Sequence, residues 1–117
     1  SFTPHLLPIN RGILSTIYTT PTSEMDLKEV YDIYEERYEK EPFIRLCPLG
    51  TYPSLQHVSG SNYCDIAFAK DDRTGRLIVL SAIDNIGKGA SGQAVQNMNL
   101  MLGFDETEGL MNIPCFP

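Results

Sequence analysis

Residues 64–83, CDIAFAKDDRTGRLIVLSAI, carry the clearest strand signal in this chain. Residues 64–70 and 76–83 are both rich in residues that favour β-strands. Between them lies DDRTG, residues 71–75, a polar segment whose final glycine accepts a left-handed turn conformation without strain. The two runs are therefore predicted to pair as an antiparallel hairpin.

Other strands and one helix lie around this hairpin. Strands are predicted at residues 12–20, 43–47 and 55–59, again from runs rich in β-formers. A helix is predicted after Asp26, whose spacing from Glu29 is typical of a capping box, and it ends before Pro42. The apolar face of this helix carries Leu27, Val30, Tyr31, Tyr34 and Tyr38.

A second helix follows the hairpin. Apolar or small side chains recur at helical spacing at Ser91, Ala94, Val95, Met98, Met101 and Leu102. Gly103 occupies the position just past a helix C-terminus that glycine favours. The resulting order, β, α, β, β, β, β, α, does not alternate as a doubly wound fold does. It predicts an α+β domain with a mixed, mostly antiparallel sheet and helices packed on it.

The charge of the chain argues against some partners. Of 117 residues, 15 are acidic and 9 are Lys or Arg, which gives a net charge of −6. Eight of the acids but only three of the bases lie in residues 24–41, so most of the net charge belongs to the solvated face of the first helix. Nucleic acid is an unexpected partner because no cationic cluster is present, and no apolar run approaches the roughly 20 residues that cross a membrane. A soluble, cytoplasmic protein of one domain is expected.

The three cysteines indicate a reducing environment. Cys47, Cys64 and Cys115 are widely spaced and odd in number, which predicts neither a disulfide framework nor a metal site. Cys64 starts a predicted strand, and its thiol is expected to be packed. The chain begins at Ser1 and runs directly into apolar sequence, so it is expected to be a piece of a longer protein.

The segment GKGASG, residues 87–92, matches the dinucleotide pattern G-x-G-x-x-G between a predicted strand and a predicted helix. Only residues 104–117 remain after that helix, too few for the rest of a dinucleotide-binding fold. The pattern therefore favours a simpler feature, a glycine-rich start of a helix. Its free backbone N–H groups, together with Lys88, favour an anion or a carboxamide oxygen.

The beginning of the chain holds two further candidate groups. His5 lies between Pro4 and Pro8, which restrict the backbone, and its imidazole can transfer protons near neutral pH. Arg11 precedes Gly12, and its guanidinium can bind a carboxylate or phosphate. The alternatives are a hydrogen-bonded structural histidine and an arginine in a surface ion pair.

Four stretches together carry a resemblance to a known family. They are SFTPHLLPINRGIL (1–14), EPFIR (41–45), GSNYCDI (60–66) and DNIGKGASGQAVQNMN (84–99). In this order they resemble the second half of the N-acetyl-γ-glutamyl-phosphate reductase family, which belongs with the semialdehyde and glyceraldehyde-phosphate dehydrogenases. The resemblance implies a glyceraldehyde-phosphate dehydrogenase-like C-terminal domain over residues 1–117. It also implies an N-terminal NADP-binding domain outside this chain as a partner, and assembly as a homo-oligomer, a dimer or a tetramer.

The resemblance also implies roles for particular residues. His5 would be the general acid and base, and Arg11 would contact the substrate anion. Gly92, Gln93 and Lys88 would contact the cofactor NADP, and no metal is implied. The family's nucleophilic cysteine lies in an Asn-Pro-Gly-Cys type motif that this chain lacks. The 117 residues alone are therefore predicted to be inactive.

The activity implied by the resemblance is the NADPH-dependent reduction of N-acetyl-glutamyl 5-phosphate, an acyl phosphate, to the semialdehyde in arginine biosynthesis. Two alternatives stay open. One is a related semialdehyde dehydrogenase that acts on an aspartyl phosphate, and the other is a purely structural dimerisation module.

Overall fold

The structure is a computed structural model and describes residues 1–115. Its strands are β1 (Ile13–Thr19), β2 (Ile44–Leu46), β3 (Cys64–Asp71) and β4 (Arg76–Ile83), and its α-helices are α1 (Leu27–Tyr38) and α2 (Gly92–Leu102). A 3₁₀ turn spans Leu55–His57, and a π-helical turn spans Gly87–Ser91 and leads into α2. The predicted α+β class is confirmed.

The β3–β4 hairpin forms the centre of a four-stranded sheet with the order β1-β4-β3-β2. β4 is antiparallel to both of its neighbours, whereas the short β2 is parallel to β3. Gly75 closes the hairpin loop with a φ of +69°, and its N–H donates to the carbonyl oxygen of Asp71 at 2.7 Å. The predicted hairpin and the mixed, mostly antiparallel sheet are both confirmed.

Helix α1 covers one face of the sheet. Its buried Val30 packs against Ile66, Phe68 and Val79 from the two central strands. The N-terminus has the predicted capping box, because the N–H of Glu29 donates to Asp26 and the N–H of Asp26 donates to Glu29. Burial of apolar side chains of this size contributes roughly 1.5–3 kcal/mol each, so this cluster is the main core of the domain.

The predicted strand at residues 55–59 is wrong. Residues 55–57 form the 3₁₀ turn instead, and the side chain of Ser54 caps it. Leu55 and Val58 lie three residues apart, which places both on one side of a helical turn, and Val58 is fully buried. Residues 55–59 are apolar enough for a strand, but the three-residue spacing of Leu55 and Val58 favours a helical turn.

Helix α2 forms nearly where predicted and ends at Gly103, which has a φ of +75°. Its buried side, however, consists of Gly92, Gln96 and Asn99 rather than of the apolar residues that signalled it. Met101 on the other side is 84% exposed. The spacing therefore predicts the helix correctly but not the face that it buries.

The edge strand β1 is apolar on both sides and largely exposed. Ile13 and Ile17 lie on the α1 side of the sheet, and Leu14 and Tyr18 lie on the other. The outer edge of β1 pairs with no strand of residues 1–115. An exposed edge of this kind is typical of a surface that pairs with another chain.

Within the same described range, no helix is long and apolar enough to span a membrane.

Candidate functional site

Strand pairing brings distant parts of the sequence to one end of the sheet. Ile13 at the start of β1 pairs with Ile83 at the end of β4, and Ile83 also pairs with Cys64 at the start of β3. The residues just outside these strands therefore meet. Arg11 contacts Asp84, 73 positions away along the chain, and the N–H of Gly12 donates to Asn85 Oδ1 at 2.7 Å.

The carboxylate of Asp84 is the centre of this end of the sheet. It is fully buried, and it accepts two hydrogen bonds from Nη2 of Arg11, at 2.7 and 2.6 Å. It also accepts the backbone N–H groups of Gly60 at 2.7 Å, Ile86 at 2.8 Å and Gly87 at 2.6 Å. Five hydrogen bonds from three chain segments satisfy a charge that would otherwise be costly to bury.

These contacts set the protonation state of the group. Burial on its own would raise the pKa of Asp84, but the hydrogen bonds from Arg11 and from the three backbone amides lower the pKa to about 2. Asp84 is therefore ionised at neutral pH. The anion predicted from the sequence at the glycine-rich helix start is thus supplied internally, by this carboxylate.

Close packing explains why glycine occupies two positions within residues 87–92. A Cβ at Gly87 would collide with the backbone carbonyl oxygen of Ser61, and a Cβ at Gly92 would collide with Oδ1 of Asn62. Glycine at these two positions lets the π-helical turn lie directly against residues 60–62. Two of the three glycines in the G-x-G-x-x-G match are thus explained by this close approach.

Of the three predicted cofactor contacts, only Gln93 presents a polar side chain at the surface. It is half-buried, and its amide donates to Asn97 Oδ1 at 3.1 Å. Gly92 is buried. Lys88 points inward, where its Nζ donates to Gln96 Oε1 at 2.7 Å and lies 5.6 Å from the centre of the Phe43 ring. All three contacts stay predictions.

Burial also affects the charge of Lys88. It lowers the pKa of this ammonium group, and the nearby Cys64, Glu106 and Glu41 oppose the shift only in part. Lys88 is thus a half-buried cation held against an aromatic ring and an amide, rather than a freely moving surface charge.

Lys88 belongs to a polar network that the sequence analysis missed. Gln96 accepts from Lys88 and from Asn62, and donates to Glu106 at 2.6 Å. Oδ1 of Asn62 is buried and has no hydrogen bond within residues 1–115. The signal was present, because Gly92, Gln96 and Asn99 follow one another at helical spacing on the buried side of α2.

His5 lies apart from this network. It is exposed, and its Nδ1 lies 3.1 Å from the carbonyl oxygen of Thr3. A hydrogen bond there places the ring proton on Nδ1 and leaves Nε2 as the nitrogen that can accept a proton. Residues 1–10 are exposed and contain no strand or helix, so the arm that carries His5 is held to the sheet at Arg11 and Gly12.

The cysteines form no disulfide among the described residues. All three are free. Cys64 is half-buried at the start of β3 and packs against the core, as predicted, with its Sγ 3.4 Å from Ser81 Oγ. A separate cleft of about 600 Å³ involves Arg45, Cys47, Tyr52, His57 and Asp65, and none of the five predicted site residues lines it.

Residues 1–85 match a known protein family, described as "Semialdehyde dehydrogenase, dimerisation domain". The chain belongs to this family. The semialdehyde dehydrogenase dimerisation domain extends here from the His5 arm to Asn85, and therefore includes both partners of the Arg11–Asp84 pair.

Curated relatives match over the whole length of this semialdehyde dehydrogenase domain. N-acetyl-γ-glutamyl-phosphate reductase from Desulfotalea psychrophila is 63% identical over 117 residues, and the enzyme of the same name from Geobacter metallireducens is 60% identical. The match covers all of this chain but 34% of each relative. The chain thus spans about a third of the length of these relatives, and the resemblance found in the sequence is confirmed.

Solved structures of other semialdehyde dehydrogenases share the fold. Aspartate semialdehyde dehydrogenase II from Vibrio cholerae, solved in a complex with ASA, matches 82% of this chain and 28% of its own with a TM-score of 0.66. A second structure of the same protein gives a TM-score of 0.67. Sequence identity is 20% in both, so the likeness concerns the fold alone.

The buried carboxylate predicts an acid-dependent loss of stability. The folded-state pKa of Asp84 is about 2, below its ordinary value of 3.8. Its contribution, about 2 kcal/mol, is therefore complete above the ordinary pKa and is lost as the pH falls towards 2. We expect Asp84→Asn to remove this part of the acid sensitivity, measured by urea unfolding of the chain between pH 2 and 7.

A control variant separates this effect from a general change in charge. Asp72 is exposed in the hairpin loop, so Asp72→Asn should leave the free energy of unfolding at pH 7 within about 0.5 kcal/mol of the original. An Asp84→Asn variant that loses stability between pH 4 and 2 as steeply as the original chain would contradict the assignment.

Proposed function

We propose that this chain is the catalytic and dimerisation domain of an N-acetyl-γ-glutamyl-phosphate reductase. The full enzyme reduces N-acetyl-glutamyl 5-phosphate to the semialdehyde in arginine biosynthesis, in the cytoplasm. The observation that carries this proposal is the identity of 63% and 60%, over the whole chain, with two relatives of that name. Residues 1–117 are proposed to belong to a single domain of the enzyme, and an NADP-binding domain is proposed to precede it.

NADPH, when bound, supplies the hydride. In this chain the helix start at residues 86–87 already binds the carboxylate of Asp84, so it does not fit a cofactor phosphate. The amide of Gln93 fits a contact with the nicotinamide carboxamide, since it is polar and reaches the surface. We therefore propose Gln93 as the direct contact, Gly92 as the residue that leaves room beside it, and Lys88, whose ammonium group donates to Gln96, as the third contact.

His5 is proposed to move the proton in the reaction. Reduction of an acyl carbon places negative charge on its oxygen, and release of the aldehyde requires that this oxygen lose its proton again. With Nδ1 held by Thr3, the ring can give a proton from Nε2 when it is protonated there, as an imidazolium, and Nε2 can take that proton back in the later step. The prolines at positions 4 and 8 restrict the direction in which the arm presents the ring.

Dimerisation is proposed to use strand β1. The strand exposes Leu14 and Tyr18 on one face and Ile13 and Ile17 on the other, beside an open backbone edge. Covering this surface with a second copy removes apolar area from water and pairs the free backbone groups. The same observation supports the alternative of a purely structural dimerisation module.

An assay with two substrates tests the proposed activity. We expect the full enzyme to oxidise NADPH with N-acetyl-glutamyl 5-phosphate much faster than with aspartyl phosphate. We expect the 117-residue chain alone to show no turnover, because none of its cysteines lies in the nucleophile motif. Faster turnover with aspartyl phosphate would contradict the proposed substrate. Turnover by the 117-residue chain alone would show that the nucleophile lies within these residues.

Substitution of the imidazole tests the role of His5. In the full enzyme, His5→Ala is expected to lower kcat by about 100-fold or more, because a positioned acid and base contributes about 10²–10⁴-fold. His57→Ala is the matched control, since His57 is the other histidine of the chain and lies in the 3₁₀ turn. An unchanged kcat for His5→Ala would remove His5 from the mechanism.

A further inference from the structure

Arg11 uses only one of its three nitrogens on Asp84. Nη2 makes both bonds to the carboxylate, while Nε and Nη1 have no hydrogen-bond partner in the described part of the chain. The two side chains differ in exposure, at 40% for Arg11 and 0% for Asp84. The guanidinium is therefore partly buried: its Nη2 contacts the buried carboxylate of Asp84, and the three N–H donors of Nε and Nη1 have no partner among the described residues.

The backbone fixes the position of that anion. The amides of Gly60, Ile86 and Gly87 hold the carboxylate of Asp84 from two different chain segments, at 2.6 to 2.8 Å. A carboxylate with this many donors has little freedom to move, so the guanidinium bound to it is also held in place. An arginine restrained in this way loses less side-chain entropy when it binds a second anion.

The same pair lies at the base of the arm that carries His5. The N–H of Gly12 is bound to Asn85 beside the Arg11–Asp84 contact, so two adjacent points anchor residues 11–12 to the end of β4. The donors left on Arg11 lie six residues from His5 along a proline-restricted arm. These donors therefore lie on the segment by which the His5 arm is anchored to the sheet.

We propose that Asp84 is a positioning residue of the enzyme, which holds Arg11 so that Nε and Nη1 bind the phosphate group of the acyl phosphate substrate. This inference rests on the proposed function and adds Asp84 to its residues. The competing explanation is an ion pair that only stabilises the fold. The two differ in what they predict for substrate affinity.

Two variants of the full enzyme separate these explanations. Arg11→Lys keeps a cation for Asp84 but lacks the further donors, so we expect KM for the acyl phosphate to rise at least tenfold while the melting temperature changes little. Asp84→Asn keeps the shape of the side chain but removes the negative charge that holds Arg11, so we expect a similar rise in KM. The double variant should have a KM little higher than that of the single variant with the higher KM, because both substitutions affect the same contact.

The chain provides a matched control pair. Arg45 and Asp65 form an ion pair at 2.7 Å with nearly the same exposures, 39% and 6%. Asp65→Asn removes a buried carboxylate on strand β3 that accepts two hydrogen bonds from Arg45 and none from Arg11. We expect it to lower the melting temperature, though by less than Asp84→Asn does, with KM within twofold of the original enzyme.

Binding of inorganic phosphate to the full enzyme, measured by calorimetry, gives a readout that does not depend on turnover. Arg11→Lys and Asp84→Asn should each weaken it at least tenfold, and Asp65→Asn should not. The inference is overturned if both variants keep the original KM and phosphate affinity, or if Asp65→Asn changes them equally. If the original enzyme fails to reduce the acyl phosphate while the variants still weaken phosphate binding, the proposed function fails and the role of Asp84 stands.

Discussion

A buried carboxylate needs hydrogen bonds from several directions, and that need organises one end of this domain. Asp84 is fully buried and accepts from a guanidinium and three backbone amides. An unpaired charge at such a depth would cost several kcal/mol, so the segments that carry the donors must meet there. The beginning of β1, the loop before β3 and the turn before α2 are joined in this way.

The glycines and the polar side of α2 follow from the same arrangement. A turn whose amides bind Asp84 must lie close to residues 60–62, and only glycine fits at positions 87 and 92. Helix α2 then faces Asn62 and Lys88, so its buried side consists of Gln96 and other polar groups. Its apolar side, which includes Met98 and Met101, is exposed, as are the apolar side chains of strand β1.

The local parts of the fold could be predicted from the sequence, and the contacts between distant residues could not. Helix α1 and the central hairpin follow from short-range patterns, such as the capping box at Asp26 and the glycine at position 75. The 3₁₀ turn was missed because Leu55 and Val58 were assigned to a strand although they have helical spacing. The Arg11–Asp84 pair spans 73 positions, and no spacing rule connects such residues. Arg11 and His5 were found by their chemistry and by resemblance, whereas Asp84 needed the strand register.

Amide hydrogen exchange in an Asp84→Ala variant of the chain tests most directly whether this carboxylate organises the end of the sheet. Strand-centre amides such as those of Ala67 and Val79, which lie in paired segments of the sheet, report whether the fold persists. The account predicts that the amides of Gly60, Ile86 and Gly87 lose their protection while those two strand amides keep theirs. Unchanged protection of the three amides that donate to Asp84 would contradict it.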